Sequence, residues 1–204
     1  MEIKSRVLLY FFMGLIFNLM SCNRLVTKEQ LVGFVNNEDN NLKFNGRIRD
    51  VKYQVLFKPH DLIYLNEMEK DKLASSNARK SHEDEFIYFI LQASKNDKDL
   101  FYSSNEDYDY NELLTKFSFQ LKEYVYGVYD NTDTVSIAEY AFTRNYATTN
   151  ATSAMVAFRK RKDYRTFNIL VKDIVYGAYG VLEFKYDSED INKVPKLNID
   201  KYAI

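Results

Sequence analysis

The sequence predicts an α+β domain: a meander-rich antiparallel β-sheet of about six or seven strands with two short helices packed on it. Three observations predict it. Val51, Tyr53, Val55 and Phe57 alternate with Lys52, Gln54 and Lys58, the period of a half-buried strand. Two stretches, Leu62 to Leu73 and Tyr110 to Phe117, space their apolar residues as a helix does. From Phe119 onward, short runs rich in Val, Ile, Phe, Tyr and Thr are separated by turn-forming residues, as in successive antiparallel strands.

Composition narrows the class. The 204 residues carry 28 Lys+Arg against 29 Asp+Glu, a net charge of −1, which argues against nucleic acid as a partner because no basic surplus is present to displace counterions. One cysteine excludes an intrachain disulfide framework and a Cys-rich metal site, and two histidines make a His-based metal centre unfavourable. Hydrophobic residues at 46% and aromatics at 16% exclude a disordered chain.

The first segment has the organisation of an export signal. Lys4 and Arg6 precede an uncharged run from Val7 to Met20, too short for a comfortable membrane span, which needs about 20 residues, but right for the apolar region of a signal peptide. Leu19-Met20-Ser21-Cys22 closes it, and Cys22 is the sole cysteine. This string resembles a bacterial lipobox. The resemblance implies cleavage before Cys22, acylation of its thiol with chains such as palmitate, and Cys22 as the first mature residue. It divides the chain into a signal peptide over 1–21, a lipidated cysteine with a polar, Asn-rich tether over 22–41, and one domain over 42–204. A brief strand is expected at Leu31 to Val35 within the tether. Asn23 is not the Asp that retains many such proteins at the inner membrane, and Arg24 to Lys28 contain no acidic cluster. The expected location is therefore the cell envelope, at an outer membrane, facing the periplasm.

The domain follows in order. Asn45-Gly46 reads as a two-residue turn. The alternating strand from Val51 ends at Pro59, and Asp61 is placed to cap a helix from about Leu62 to Leu73, with Leu62, Leu65, Met68 and Leu73 inward. Ser75 to Glu85 is polar and reads as a loop. Phe86 to Leu91, continuously apolar, reads as a central strand covered on both faces. Lys95 to Asp109 reads as irregular, and Tyr110, Leu113, Leu114 and Phe117 as a second short helix. Strands are expected over Phe119–Val128, Thr134–Phe142, Ser153–Phe158, Thr166–Val171 and Val181–Tyr186. The strings YQVLFKPHDLIYLNE (Tyr53 to Glu67), YAFTRNY (Tyr140 to Tyr146) and VPKL (Val194 to Leu197), behind a lipobox and an Asn-rich tether, resemble a group of Bacteroidetes lipoproteins. That resemblance implies an address and an architecture, and no activity.

No catalytic, cofactor or metal kit stands out. His60 beside Asp61 has the makings of a general base and its orienting group, against the commoner reading of a hydrogen-bonded turn histidine. His82, with Glu83 and Asp84, reads as a solvated loop. Asn105-Glu106-Asp107-Tyr108-Asp109 is dense in hard oxygen ligands but lacks the Gly and terminal Glu of a calcium loop, and reads as a loop ending in a helix cap. Asp130-Asn131-Thr132-Asp133 reads as a turn. No nucleophile elbow, P-loop or dinucleotide fingerprint is present. Tyr124, Tyr126, Tyr129, Tyr176 and Tyr179 have the chemistry of a binding platform, against the commoner reading of core and cross-strand packing. Arg159 to Lys162 is the one basic run, expected at a hairpin tip and suited to anionic lipid. Two functions remain: a non-enzymatic binding or assembly module, anchored to membrane through Cys22 and docking an envelope protein; or a hydrolase of glycan or peptide that uses a carboxylate pair.

Overall fold

A computed structural model describes residues 25–70, 85–102, 108–144, 149–177 and 180–202. Cys22, Leu73, His82, Glu83, Asp84, Asn105, Glu106, Asp107, Tyr146 and Tyr179 lie outside the described residues, as does most of the Ser75–Glu85 loop. Within them the fold is α+β, with ten strands in two antiparallel sheets and five helices. The strands are β1 (Lys43–Ile48), β2 (Val51–Lys58), β3 (Phe86–Lys95), β4 (Lys98–Asp99), β5 (Val125–Tyr129), β6 (Asp133–Ser136), β7 (Glu139–Phe142), β8 (Thr152–Arg159), β9 (Thr166–Lys172) and β10 (Val181–Asp187). The helices are α1 (Lys28–Asn36), α2 (His60–Lys70), α3 (Tyr110–Phe119), α4 (Leu121–Tyr124) and α5 (Ser188–Asn192).

The first sheet runs β1-β2-β3-β8-β7, with β4 also on β3; the second runs β10-β9-β5-β6. β3 is central as expected, paired to β2 on one side and β8 on the other. The chain crosses between sheets, so the β-rich half is not one meander. The expected strand Thr134–Phe142 is two strands, β6 in the second sheet and β7 in the first. Ile137, between them, is buried in the core at the point where the chain passes from one sheet to the other. Arg159 to Lys162 likewise lies on a crossing from β8 to β9, not at a hairpin tip.

Other differences have local causes. Asn45-Gly46 is inside β1, paired with Gln54 and Tyr53, and the turn falls at Arg49-Asp50, where Arg49 takes a left-handed φ of 52°. Gly46 sits close to β10: a Cβ there would lie 2.9 Å from Leu182 Cδ1. The expected strand from Phe119 begins at Val125, because Leu113, Phe117 and Leu121 continue a helical spacing into the core through α3 and α4. Leu31–Val35, expected as a strand in a tether, is helical. Thr27 caps α1 in a capping box with Gln30, and Leu31 and Val35 are buried. The segment is therefore packed onto the domain from Val26 onward, where Val26 and Leu197 form a parallel bridge.

The sheets meet through aromatic rings. Phe89 of β3 lies 4.8 Å from Tyr186 and 5.6 Å from Phe167, and Phe158 lies 5.2 Å from Phe167. Burying each such ring contributes about 1.5–3 kcal/mol. Three buried tyrosines also carry hydroxyls from one sheet's side to the other. Tyr186 donates to Val55 O at 2.9 Å, Tyr129 donates to Arg159 O at 2.8 Å, and Tyr53 accepts from Ile174 N at 3.2 Å while donating to Asp173 Oδ1 at 3.5 Å.

Candidate functional site

A cleft of about 190 Å³ opens at the end of the first sheet, where β2 stops and β3 starts. Its position follows from the chain's punctuation. Pro59 has no N–H to continue the ladder, so β2 ends at Lys58 and the chain turns into α2. Phe86 and Tyr88 begin β3 beside it, Lys160 leaves β8 above it, and Val194-Pro195-Lys196 closes the far wall.

Asp61 holds that wall. Expected to cap α2, it lies within the first turn, and its Oδ2 accepts from Leu197 N at 2.8 Å. Backbone bonds continue the latch: Val26 N donates to Lys196 O and Asn198 N donates to Val26 O, both at 2.9 Å. The His60 ring lies 6.1 Å from that of Tyr88. Asp61, the group that would orient His60 as a base, thus has one oxygen committed to the backbone of another segment.

Among the described residues the cleft's lining includes Lys58, Lys160, Lys196 and His60 with the carboxylate of Asp61. Among the described residues no carboxylate ion-pairs with Lys58 or Lys160. Burial, and then the charge of Lys28, hold the Lys58 ammonium below the usual lysine range. Burial pushes the Tyr88 hydroxyl up, with Glu139, Glu67 and Glu85 adding to the shift. Apolar walls from Phe57, Phe86 and Ile191 complete a site suited to an anionic group borne on an apolar body.

The other candidates resolve into structure. Asp109 caps α3, accepting from Glu112 N at 2.7 Å, and Tyr108 donates to Leu100 O at 2.7 Å. Asp130 and Asn131 adopt left-handed φ of 49° and 59°, and Asp130 Oδ1 accepts from Arg165 N and Thr166 N, which holds its carboxyl below the usual range. Tyr129 is core. Tyr126 and Tyr124 are half-buried under Lys172 and Lys116 respectively, so these tyrosines form no continuous platform. Among the described residues no group of three or more His, Cys, Asp or Glu is placed to hold a metal.

At the opposite end of β2 lies a network the sequence reading missed. Buried Lys95 pairs with Asp50 Oδ2 at 2.9 Å, and Tyr176 donates to Asp50 Oδ1 at 2.9 Å. Burial alone would raise the Asp50 carboxyl, but Lys95 and Tyr176 outweigh it and the net shift is downward. Asp173, wholly buried, accepts from Val175 N and Tyr176 N through Oδ1. Nothing in the local sequence marks Lys95 as buried, because its partner comes from the preceding hairpin.

No protein-family model and no curated protein matches the chain. Solved structures similar to it include a protein of unknown function from Burkholderia pseudomallei, at 12% identity and TM-score 0.42, covering 86% of this chain and 97% of that one. A DUF4426 family protein from Pseudomonas aeruginosa is similar at 10% identity and TM-score 0.38, covering 72% of this chain and 94% of that one. Likenesses this slight carry no argument about function.

Proposed function

We propose that the chain is a lipoprotein of the bacterial cell envelope, anchored by acylated Cys22 and acting as a non-enzymatic binding or assembly module for an envelope partner. The observation that carries the reading is a register: positive n-region, apolar run, small residue and the chain's sole cysteine follow one another over residues 4–22. No helix among the described residues is long and apolar enough to cross a membrane. An outer-membrane position facing the periplasm follows from Asn23 and the absence of acidic residues over Arg24 to Lys28.

The carboxylate hydrolase has less support. Such chemistry requires two acids flanking the scissile bond, and the described lining of the cleft supplies Asp61 alone. Mass spectrometry of the protein extracted from membranes tests the anchor. The expected result is loss of residues 1–21 and a diacylglycerol thioether on Cys22; an intact N-terminus with a free thiol overturns it. Detergent pull-down tests the module, with a stoichiometric envelope protein expected and repeated recovery of the chain alone counting against it.

A further inference from the structure

The latch between Val26 and Lys196 places the lysine-lined cleft next to the point where the stem joins the domain. Cys22 lies three residues before Leu25, so no more than about 11 Å of extended chain separates them. The stem's surroundings are both apolar and cationic. Leu25 and Val32 are 56% and 40% exposed. Lys28 and Val32 share a face of α1 by their i, i+4 spacing, and Lys28 is close enough to Lys58 for its charge to be felt there. Exposed Leu25, Lys28 and a cleft edged by three further lysines therefore lie near one another, around the Val26–Lys196 seam. Interfacial protein surfaces combine these same ingredients, apolar contacts at the headgroup boundary and lysines at the phosphates.

We propose that this end docks on the bilayer that bears the anchor, with Lys58, Lys160 and Lys196 receiving the phosphate of an anionic phospholipid headgroup at the cleft. The inference rests on the reading of Cys22 as a lipid anchor, which fixes the end of the domain that faces the membrane. The three lysines come from three segments, the end of β2, the β8–β9 crossing and the stretch after α5, so the cation set exists only in the folded domain. Lys160 is the one member of the basic run Arg159–Lys162 that lines the cleft, whereas Arg159 pairs with Glu85 and Arg161 with Asp133.

The test is lysine acetylation of the full protein, purified from membranes and reconstituted into vesicles of phosphatidylcholine alone or of equal parts phosphatidylcholine and phosphatidylglycerol. Exposed Lys52, six residues from Lys58 and about 20 Å along β2, is the internal standard. Labelling of Lys58, Lys160 and Lys196 relative to Lys52 is expected to fall about fivefold in the phosphatidylglycerol vesicles only. Equal labelling in the two vesicles overturns the proposal. So does the same protection from glycerol phosphate added to phosphatidylcholine vesicles, which would make the ligand a soluble phosphate ester. Intact mass of the same sample reads the anchor separately: an unprocessed chain that still shows the protection overturns the anchor and leaves headgroup docking standing.

Discussion

The hydroxyl of Tyr186, on β10 of the second sheet, donates to the main-chain carbonyl of Val55, on β2 of the first, at 2.9 Å. Its ring packs on Phe44 and Phe89 while its oxygen bonds across the interface. A phenylalanine would fill the same space and leave Val55 O without this donor. Tyr186→Phe should therefore keep the fold and cost about 1 kcal/mol, and Tyr53→Phe somewhat more, because Ile174 N and Asp173 both bond the Tyr53 hydroxyl. Urea midpoints with unchanged slopes are the check; a midpoint equal to wild type for both would remove the hydroxyls from the account of how the sheets are joined.

The same burial makes stability fall at high pH. Tyr186, Tyr53 and Tyr129 all have their phenol pKa raised by desolvation, well above the ordinary 10, and Tyr164 is pushed up to about 12. A group whose folded pKa exceeds its unfolded value binds its proton more tightly when folded. Its contribution is complete below the unfolded pKa near 10 and is lost as pH rises from there through the folded value. Each such tyrosine should lower stability by about 1.4 kcal/mol per pH unit above pH 10. Urea titrations from pH 8 to 11.5 should show a flat region followed by this decline, with a shallower slope in Tyr186→Phe. An unchanged slope in that variant would contradict the assignment.

Three glycines should respond to alanine with different signs. At Gly127 a new Cβ would collide with the Phe167 ring, which is itself held by Phe89, Phe158 and Tyr129, so Gly127→Ala should cost about 3 kcal/mol or more. At Gly46 the obstacle is the end of the Leu182 side chain, which can turn aside, and about 1 kcal/mol is expected. At Gly33, inside α1 with nothing within 4 Å, alanine should stabilise by about 0.5–1 kcal/mol. Thermal melts of the three variants give the order directly. A stabilised Gly127→Ala would mean that β5 and β9 are not as close as described.

Asp61 ties the cleft wall to α2. Asp61→Ala should cost about 1–3 kcal/mol and speed hydrogen exchange at the Leu197 amide, whereas Asp61→Asn keeps an acceptor and should be milder. Equal exchange at Leu197 in wild type and Asp61→Ala would show that the wall is held by other bonds.

Much of this architecture can be read from local periodicity. The alternation at Val51–Phe57 and the apolar run at Phe86–Leu91 give β2 and β3, because strand faces are written into every second residue or into none when both faces are covered. α1 was legible too: Thr27 and Gln30 form a capping-box pair, but the Asn-rich surroundings favour reading a tether. What local pattern does not contain is sheet membership. β6 and β7 read as one strand, since Ile137 enters a core built by both sheets and nothing adjacent to it says so. The cleft is hidden for the same reason, its lysines standing at positions 58, 160 and 196. Lys95, which reads as the start of an irregular stretch, is the buried end of β3, where Asp50 and Tyr176 arrive from elsewhere.

Val26 and Leu197 lie side by side and parallel, so the stem and the last described segment meet at one seam. A load applied along the stem would meet two backbone hydrogen bonds, from Val26 N to Lys196 O and from Asn198 N to Val26 O, before reaching either sheet. Lys28 N, which donates to the Tyr202 hydroxyl at 2.9 Å, shares that load, so a tug at the beginning of the chain is borne first by its last described segment.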